Sequence, residues 1–217
     1  MAPDDLDDLD RLRATDVYLI DQVLKGRLDG LGTVVDVGAG SGRNLPWFLG
    51  RAARVVALDP RPEAFEAMDE RFGELGVGAA EAASVERVVT RVEDAPLVPG
   101  CADLVVCNAV LHFAADAAEF EAMLRSAWGL VAPGGMFFAR LASSVGIEAG
   151  LVPLGGGRFL LPDESERFLV DARALEEWPD RLGAERVEPA KTTVVSGLRA
   201  MSTWVWRAPG GEDRTTA

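Results

Sequence analysis

Residues 34–44 read VVDVGAGSGRN, an apolar run with an aspartate that leads into three evenly spaced glycines. The run around Asp36 predicts a buried strand, and the glycines predict a tight strand-to-helix turn. In open α/β sheets, ligands bind beyond the carboxyl ends of the strands where the strand order reverses, and the first such turn is the usual place. The stretch therefore predicts a ligand site. Glycines that only permit a tight connection are the structural alternative.

The acid and the glycine spacing indicate which ligand suits this turn. The dinucleotide fingerprint G-x-G-x-x-G needs glycine or alanine directly after Gly42, where Arg43 stands. The carboxylate of Asp36 would repel a pyrophosphate and attract a cation. S-adenosylmethionine carries an ammonium and a sulfonium and no phosphate, so it fits this pattern. An NAD-dependent oxidoreductase is the disfavoured alternative.

A second acid follows the next predicted strand, in VVALDP, where Asp59 ends the strand at the same edge of the sheet. A carboxylate there can accept hydrogen bonds from both hydroxyls of a ribose. A cap on the following helix is its structural alternative. Because NAD would use Asp59 in the same way, the choice of cofactor depends on Asp36 and the glycine spacing.

The chain alternates short apolar runs with helical patterns. Strands are predicted at 33–37, 54–58, 85–89, 103–107 and 136–141, and helices at 16–28, 63–72 and 116–130. This alternation predicts a doubly wound α/β fold with a mostly parallel seven-stranded sheet and helices on both faces. After residue 142 we expect an irregular lid or hairpin, a helix ended by Gly183 and a C-terminal antiparallel hairpin turning at 196–197.

A single domain is expected at this length. Its predicted parts are an N-terminal helical cap (1–30), a cofactor-binding core (31–141), a substrate loop with the hairpin (142–208) and a flexible tail (209–217). The net charge of -13 argues against nucleic-acid or anionic-membrane partners. The acidic start has no leader character, and no run of 18 apolar residues occurs. The two cysteines, Cys101 and Cys107, are poorly placed for a disulfide framework and too few for a structural zinc. These features predict a cytoplasmic protein; the oligomeric state is left open.

From about residue 30 to 141 the motifs resemble the class I S-adenosylmethionine-dependent methyltransferases. VVDVGAGSGRN is similar to the first motif of that family, VVALDP to the second, VEDAPLVPGCADLVVCNAVLHF to the adenine loop with the fourth strand, and LVAPGGMFFAR to the region of the fifth. Within that family the chain resembles methyltransferase type 11, and GSGRN and the compact hairpin also resemble, less specifically, the tellurite-resistance-type methyltransferases. The resemblance implies S-adenosylmethionine as methyl donor and S-adenosylhomocysteine as product.

The resemblance also implies where the cofactor lies. It places the methionine moiety beside Asp36, Gly38, Ala39, Gly40 and Gly42, the ribose at Asp59 and Pro60, the adenine near Val92 and Glu93, and Asn108 under the cofactor. Arg91 occupies a position where the family often has an aspartate that binds the adenine amino group. Either Glu93 or Asp94 supplies that acceptor, or backbone groups alone recognise the ring.

Methyl transfer needs a positioned acceptor more than it needs a base. His112, the only histidine, follows the fourth strand and is the candidate catalytic residue; capping or packing is its alternative role. Residues 143–170 are expected to carry the substrate loops and hold no metal-ligand cluster. Arg43, Arg140 and Arg158 are candidates for recognising an acidic substrate.

The predicted function is in-line methyl transfer to a small molecule. The acidic charge, and the absence of an N-P-P-Y signature after the fourth strand, count against nucleic-acid methylation. The alternative is a non-catalytic module that binds S-adenosylmethionine or S-adenosylhomocysteine. Both predict cofactor binding, and turnover would distinguish them.

Overall fold

A computed structural model describes residues 3–210, with side chains described from residue 8 onward. Most of the predicted flexible tail, residues 211–217, lies outside the described residues. The helices are α1 Pro3–Leu12, α2 Val17–Leu24, α3 Glu63–Glu74, α4 Ala79–Ala83, α5 Ala117–Gly129 and α6 Ala172–Leu182. The strands are β1 Thr33–Val37, β2 Arg54–Asp59, β3 Val85–Val89, β4 Ala102–Asn108, β5 Val131–Ala142, β6 Val152–Gly155, β7 Arg158–Leu160, β8 Glu166–Phe168, β9 Glu185–Arg186, β10 Lys191–Val195 and β11 Arg199–Arg207.

The main sheet has the strand order β10-β11-β5-β4-β1-β2-β3, and the short β9 pairs with β11. Strands β1 to β5 run parallel, whereas β11 is antiparallel to β5 and to β10. The predicted doubly wound α/β fold with a C-terminal hairpin is therefore confirmed. The strand order reverses between β1 and β4, so the carboxyl ends of these two strands form the switch point at which ligands bind.

Alternating side chains on the buried strands build two cores, one on each face of the sheet. Val35 belongs to the core that α5 and α6 cover, while the adjacent Val34 belongs to the core that α2 and α3 cover. Both valines are fully buried. Burial on both faces explains why the strands read as continuous apolar runs in the sequence.

Side-chain caps fix where the main helices begin. Asp16 accepts a hydrogen bond from the Tyr18 N–H at the start of α2. Asp116 and Asp171 cap α5 and α6 in the same way. A cap of this kind stabilises a helix by about 1 kcal/mol. Gly183, in the left-handed conformation, ends α6 as predicted.

Two regions differ from the sequence-based expectation. The fifth strand was predicted at 136–141, but β5 already begins at Val131, so Pro133 and the two glycines after it lie inside the strand. The pairing of β5 with β4 shifts register there, so the small residues accommodate an irregularity in the strand. The segment expected to be an irregular lid or hairpin instead contains a three-stranded antiparallel sheet, β6-β7-β8.

Between residues 3 and 210, none of the helices combines the length and the apolar character that crossing a membrane requires.

Candidate functional site

The three glycines of the turn after β1 all have left-handed backbones, with φ of 64° at Gly38, 53° at Gly40 and 66° at Gly42. A Cβ at Gly38 would lie 2.4 Å from Cγ2 of Val110, and one at Gly42 would lie 2.8 Å from Cγ of Met68. These two glycines are therefore also required for packing. A Cβ at Gly40 would meet no atom within 4 Å, so open space faces the turn there.

Asp59 at the end of β2 ties the glycine turn to the neighbouring strand. Its Oδ2 accepts a hydrogen bond from the Gly40 N–H at 3.0 Å, and its Oδ1 accepts from the Arg61 N–H at 3.0 Å. The Arg61 guanidinium also contacts the carboxylate, with Nε 3.2 Å from Oδ1. Asp59 thus holds the turns after β1 and β2 and borders a cavity, but it does not cap the following helix, since α3 has Pro62 at its N-cap and no side-chain capping bond.

The first cavity lies beyond the carboxyl ends of β1, β2 and β4 and has a volume of about 400 Å³, a size that suits a nucleoside-like ligand. Five of the predicted cofactor residues line it: Gly38, Asp59, Pro60, Val92 and Glu93. The other predicted cofactor residues do not belong to its lining: Asp36, Ala39, Gly40, Gly42 and Asn108.

Arg91 crosses the end of this cavity where the resemblance places the adenine. Its guanidinium is 3.0 Å from Glu93 and also contacts Glu119 of α5, and these two carboxylates raise its pKa. Glu119 accepts a further hydrogen bond from the Ala115 N–H at 2.6 Å, and its pKa is lowered by that bond and by Arg91. Glu119 and Arg91 line the cavity, whereas Asp94 does not. Sequence reasoning missed Glu119 because it comes from a helix about 25 residues beyond the loop.

Unpartnered polar atoms are concentrated at the carboxyl ends of β1, β4 and β5. Of the six such buried side-chain atoms among the described residues, four lie here: Oδ2 of Asp36, both amide atoms of Asn108 and Nε of Arg140; the other two belong to Arg158 and Thr203. Such atoms are uncommon in folded proteins because an unmade buried hydrogen bond costs about 1 to 3 kcal/mol. Their clustering fits a polar ligand at this edge of the sheet.

Asp36 is the most strongly perturbed of these groups. It is only 1% exposed, and burial raises the pKa of its carboxyl group from 3.8 to about 7, against the opposing effect of Arg43. A cation placed beside it would restore the ionised form. The ammonium of S-adenosylmethionine therefore fits the site.

Ala109 separates the first cavity from a second one and lines both. It has φ of 63°, an uncommon conformation for a residue other than glycine. Its N–H donates to the Arg140 carbonyl at 2.7 Å, which holds the strained backbone in place.

The second cavity has a volume of about 370 Å³. Its lining consists of Arg43, Ala109, His112, Arg140, Ala142, Leu161, Asp163, Ser165, Arg167, Val195, Arg199, Ala200 and Met201. These residues come from the glycine turn, from β5, from the segment just after β4, from the small sheet and from the C-terminal hairpin. Four arginines and a single carboxylate give the cavity a positive charge in a chain whose net charge is -13.

His112 borders the second cavity and is 6% exposed. Its Nδ1 accepts a hydrogen bond from the Ala142 N–H at 3.3 Å. The neutral ring must then carry its proton on Nε2. Burial, reinforced by Arg167, lowers the pKa of His112 to about 4. At neutral pH this side chain is a hydrogen-bond donor and a poor general base.

The arginines proposed from the sequence have different surroundings. Arg140 and Arg43 share the buried carboxylate of Asp16, at 2.9 Å and 3.6 Å, and both line the second cavity. Arg158 instead pairs with Glu166 at 3.1 Å on the small sheet and does not belong to this lining. The other two arginines of the cavity, 167 and 199, were missed by sequence reasoning.

The fold is shared with solved methyltransferases. The 1,6-didemethyltoxoflavin-N1-methyltransferase of Burkholderia thailandensis, solved with 1,6-didemethyltoxoflavin and S-adenosylhomocysteine, aligns with a TM-score of 0.63 at 19% identity over 92% of this chain and 78% of that one. An S-adenosylmethionine-dependent methyltransferase of Methanosarcina mazei gives 0.69 at 15% identity over 87% and 98%. The N-methyltransferase NodS of Bradyrhizobium japonicum WM9, with S-adenosyl-L-homocysteine, gives 0.61 at 14% identity over 89% and 85%. At these identities the similarity defines the class of fold.

The family follows from the sequence itself. Residues 35–139 match the family model described as a methyltransferase domain, whereas no curated protein sequence matches the chain. This segment is a methyltransferase domain of the class I S-adenosylmethionine-dependent family. The predicted family, and with it S-adenosylmethionine as methyl donor, is confirmed.

Proposed function

We propose that the protein transfers a methyl group from S-adenosylmethionine to a small-molecule acceptor bound in the second cavity. The observation that carries this proposal is the meeting of two cavities of 400 and 370 Å³ at Ala109, beyond the switch point of the sheet. The first is large enough for the adenosine moiety, and the second can seat a small acceptor. A cavity of that size, together with the acidic net charge, disfavours a nucleic-acid substrate.

The cofactor residues keep the roles that their positions support. Asp59, with Pro60, borders the first cavity where the ribose would lie, and its Oδ1 and Oδ2 are hydrogen-bond acceptors. Val92 and Glu93 would flank the adenine. Asp36 and the open turn at Gly40, with the backbone of its neighbours, would hold the ammonium and carboxylate ends of the methionine moiety.

The sulfonium supplies an already activated methyl group, so the protein's task is to hold the acceptor in line and to exclude water. The two amide atoms of Asn108, buried and unpartnered next to Ala109, would be satisfied by groups at the junction of the cavities. His112 would donate a hydrogen bond from Nε2 to the acceptor instead of removing its proton. An acceptor that is already ionised, or a neutral amine that releases its proton only after methylation, suits this arrangement better than an alcohol, which needs a base.

The test is a binding measurement followed by a turnover measurement. Calorimetric titration with S-adenosylhomocysteine should show one site, and a hundredfold excess over its dissociation constant should stabilise the fold by about 2.7 kcal/mol. Incubation with methyl-labelled S-adenosylmethionine and a panel of small molecules should then yield S-adenosylhomocysteine and a methylated product. Binding without turnover on any acceptor would favour the non-catalytic module, and stabilisation by NAD instead would contradict the cofactor assignment.

A further inference from the structure

We propose that the acceptor is an anion with an apolar body, and that Arg167 and Arg199 bind its negative group in the second cavity. This inference rests on the proposed function, because it names the substrate class of the same site. It depends on which cations of the molecule have partners and on the other side chains that line the cavity.

Unpaired cations are rare in this protein. Lysines and arginines are greatly outnumbered by acids, 22 against 35, and almost all of those with described side chains have a carboxylate within 4 Å. Within the part of the chain that the structure describes, three arginines form no ion pair: Arg167, Arg199 and Arg207. Two of the three line the second cavity, although they lie in different segments of the chain.

The two arginines approach the cavity from separate elements. Arg167 on β8 donates from Nη1 to the Glu166 carbonyl at 2.7 Å and lies over the Phe113 ring, with its Cζ 5.0 Å from the ring centroid. These contacts hold the guanidinium in place without neutralising it. Arg199 is at the start of β11, beside the hairpin turn, and is exposed.

Among the side chains that the structure describes, Asp163 is the only carboxylate in the lining of the second cavity. Its Oδ1 already accepts hydrogen bonds from the N–H and the hydroxyl of Ser165. These bonds, and at longer range Arg199 and Arg167, lower the pKa of Asp163. One carboxylate that forms no ion pair with either arginine offsets only part of their charge, so the cavity keeps a positive potential.

A third arginine contributes from the floor of the cavity. Arg140 donates a hydrogen bond from Nη1 to Oδ2 of Asp16, yet its buried Nε has no hydrogen-bond partner. A carboxylate or phosphate oxygen is the acceptor that a guanidinium N–H binds most strongly. The cavity therefore combines an unsatisfied buried donor with two cations that lack an ion-pair partner.

Beyond the arginines and Asp163, the lining is mixed: His112 and Ser165 add hydrogen-bonding groups, whereas the other side chains are apolar. Leu161, Val195 and Met201 supply side chains without charge or hydrogen-bonding groups. Apolar walls with a few convergent polar groups are typical of sites for small molecules that have an apolar body and a polar end. A free inorganic anion would leave these walls without contacts, whereas an organic acid would cover them.

The probes for the test are benzoate and benzamide, which have the same shape and differ in charge. Each is titrated into the protein with and without S-adenosylhomocysteine, and binding is followed by ligand-observed NMR. We expect benzoate to bind about tenfold more tightly than benzamide, because only benzoate forms charge-assisted hydrogen bonds. Arg167→Gln and Arg199→Gln should each remove most of this preference and leave benzamide binding unchanged.

Arg207→Gln is the matched control. It removes the same charge from a third unpaired arginine at the far end of β11, outside both cavities. It should change benzoate binding by less than about twofold, since surface charge acts only weakly at that distance. Equal binding of the two probes, no binding of either, or an equal loss in all three variants would overturn the inference.

The experiment distinguishes failure of the cofactor proposal from failure of the arginine proposal. Failure to bind S-adenosylhomocysteine would contradict the proposed function, and the benzoate titration without cofactor would still test the arginine site. Thermal unfolding of each variant checks the fold. Because Arg199 is exposed and makes no ion pair among the described side chains, its substitution should leave the melting temperature unchanged.

Discussion

Replacement of Asp36 by asparagine should make the free protein more stable and the cofactor complex weaker. The reason is the buried, unpartnered carboxyl group at the end of β1, whose pKa is raised from 3.8 to about 7. In the unfolded chain the group ionises at its ordinary pKa, so folding takes up a proton between these two values. The stability that the neutral carboxyl group permits is complete below about pH 4, and it is lost as the pH rises through 7.

The size of the effect follows from the shift. About three pKa units correspond to roughly 4 kcal/mol as an upper limit at pH 8. An asparagine amide at the same position also lacks partners, and this cost of about 1 to 3 kcal/mol reduces the gain. We therefore expect Asp36→Asn to raise the free energy of unfolding by about 1 to 3 kcal/mol at pH 8. For a chain of this size, that corresponds to an increase of about 2 to 12 °C in the melting temperature.

Cofactor binding should change in the opposite direction. If the ammonium of S-adenosylhomocysteine requires the ionised carboxylate, affinity should increase about tenfold between pH 6 and pH 8, as the ionised fraction rises from about 0.1 to 0.9. His112 does not contribute in this window, because its pKa is about 4. Calorimetry should show this increase in the wild type, and a weak, pH-independent affinity in Asp36→Asn.

Asp103→Asn provides the control at the opposite end of the sheet. Its Oδ2 accepts hydrogen bonds from the N–H groups of Gly32 and Thr33, at 2.8 and 2.7 Å. Replacing the charged carboxylate by a neutral amide oxygen should weaken these two bonds, lower stability and leave cofactor affinity unchanged. The reasoning is refuted if Asp36→Asn melts at or below the wild-type temperature at pH 8, or if the wild-type affinity is the same at pH 6 and pH 8.

Three further predictions concern the same site. Asp59→Ala should weaken S-adenosylhomocysteine binding by roughly 1.5 to 3 kcal/mol in calorimetry and also lower the melting temperature, since the carboxylate caps the Gly40 N–H; unaltered affinity would leave it only a structural role. Gly42→Ala should destabilise the protein by about 1 to 3 kcal/mol in denaturant unfolding, because the new Cβ meets Met68. Gly40→Ala should destabilise the protein less than Gly42→Ala, because open space faces Gly40, and should weaken cofactor binding more. If Gly42→Ala weakens binding more than Gly40→Ala does, the proposed place of the cofactor at Gly40 is wrong. Once an acceptor is known, His112→Ala should raise KM about tenfold with little loss of kcat. The pH–rate profile of the wild type should show no inflection near pH 6.5, because the pKa of His112 is about 4. An inflection there that the substitution abolishes would show that His112 is a base.

The glycine turn was predictable because its signals are local. The apolar run, the acid and the glycines lie within eleven residues, and the strand Thr33–Val37 has the predicted bounds. Parallel strands place their carboxyl ends at one edge, so the position of Asp59 followed from its place at the end of the second run. The packing role of Gly42 was not visible, since Met68 reaches it from a helix whose position depends on the whole fold.

The arginines of the second cavity could not be predicted from the sequence, because their roles depend on contacts between distant segments. Arg158 and Arg167 are equally plausible in the sequence, and their difference arises from the pairing of β7 with β8. That pairing puts Arg158 beside a carboxylate and leaves Arg167 facing the cavity. The state of His112 likewise depends on an N–H thirty positions along the chain, which fixes its tautomer. Sequence patterns report the local backbone, whereas ion pairs and tautomers report contacts between distant segments.

The excess of acidic residues in this chain makes the unpaired arginines of the second cavity unusual. With 35 acids available to 22 lysines and arginines, a cation without a carboxylate partner is easily avoided. Surface ion pairs add little stability each, so the widespread pairing has a small energetic value. The pairing does, however, affect where positive charge remains. Among the described side chains it neutralises nearly all lysines and arginines, and it leaves an excess of positive charge at the second cavity. An anionic acceptor would be repelled by the surface as a whole and attracted at the second cavity, which meets the first cavity at Ala109. Because the surface as a whole repels anions, we expect slow association for anions in general. Because the cavity attracts only those acids that fit it, we expect selective binding.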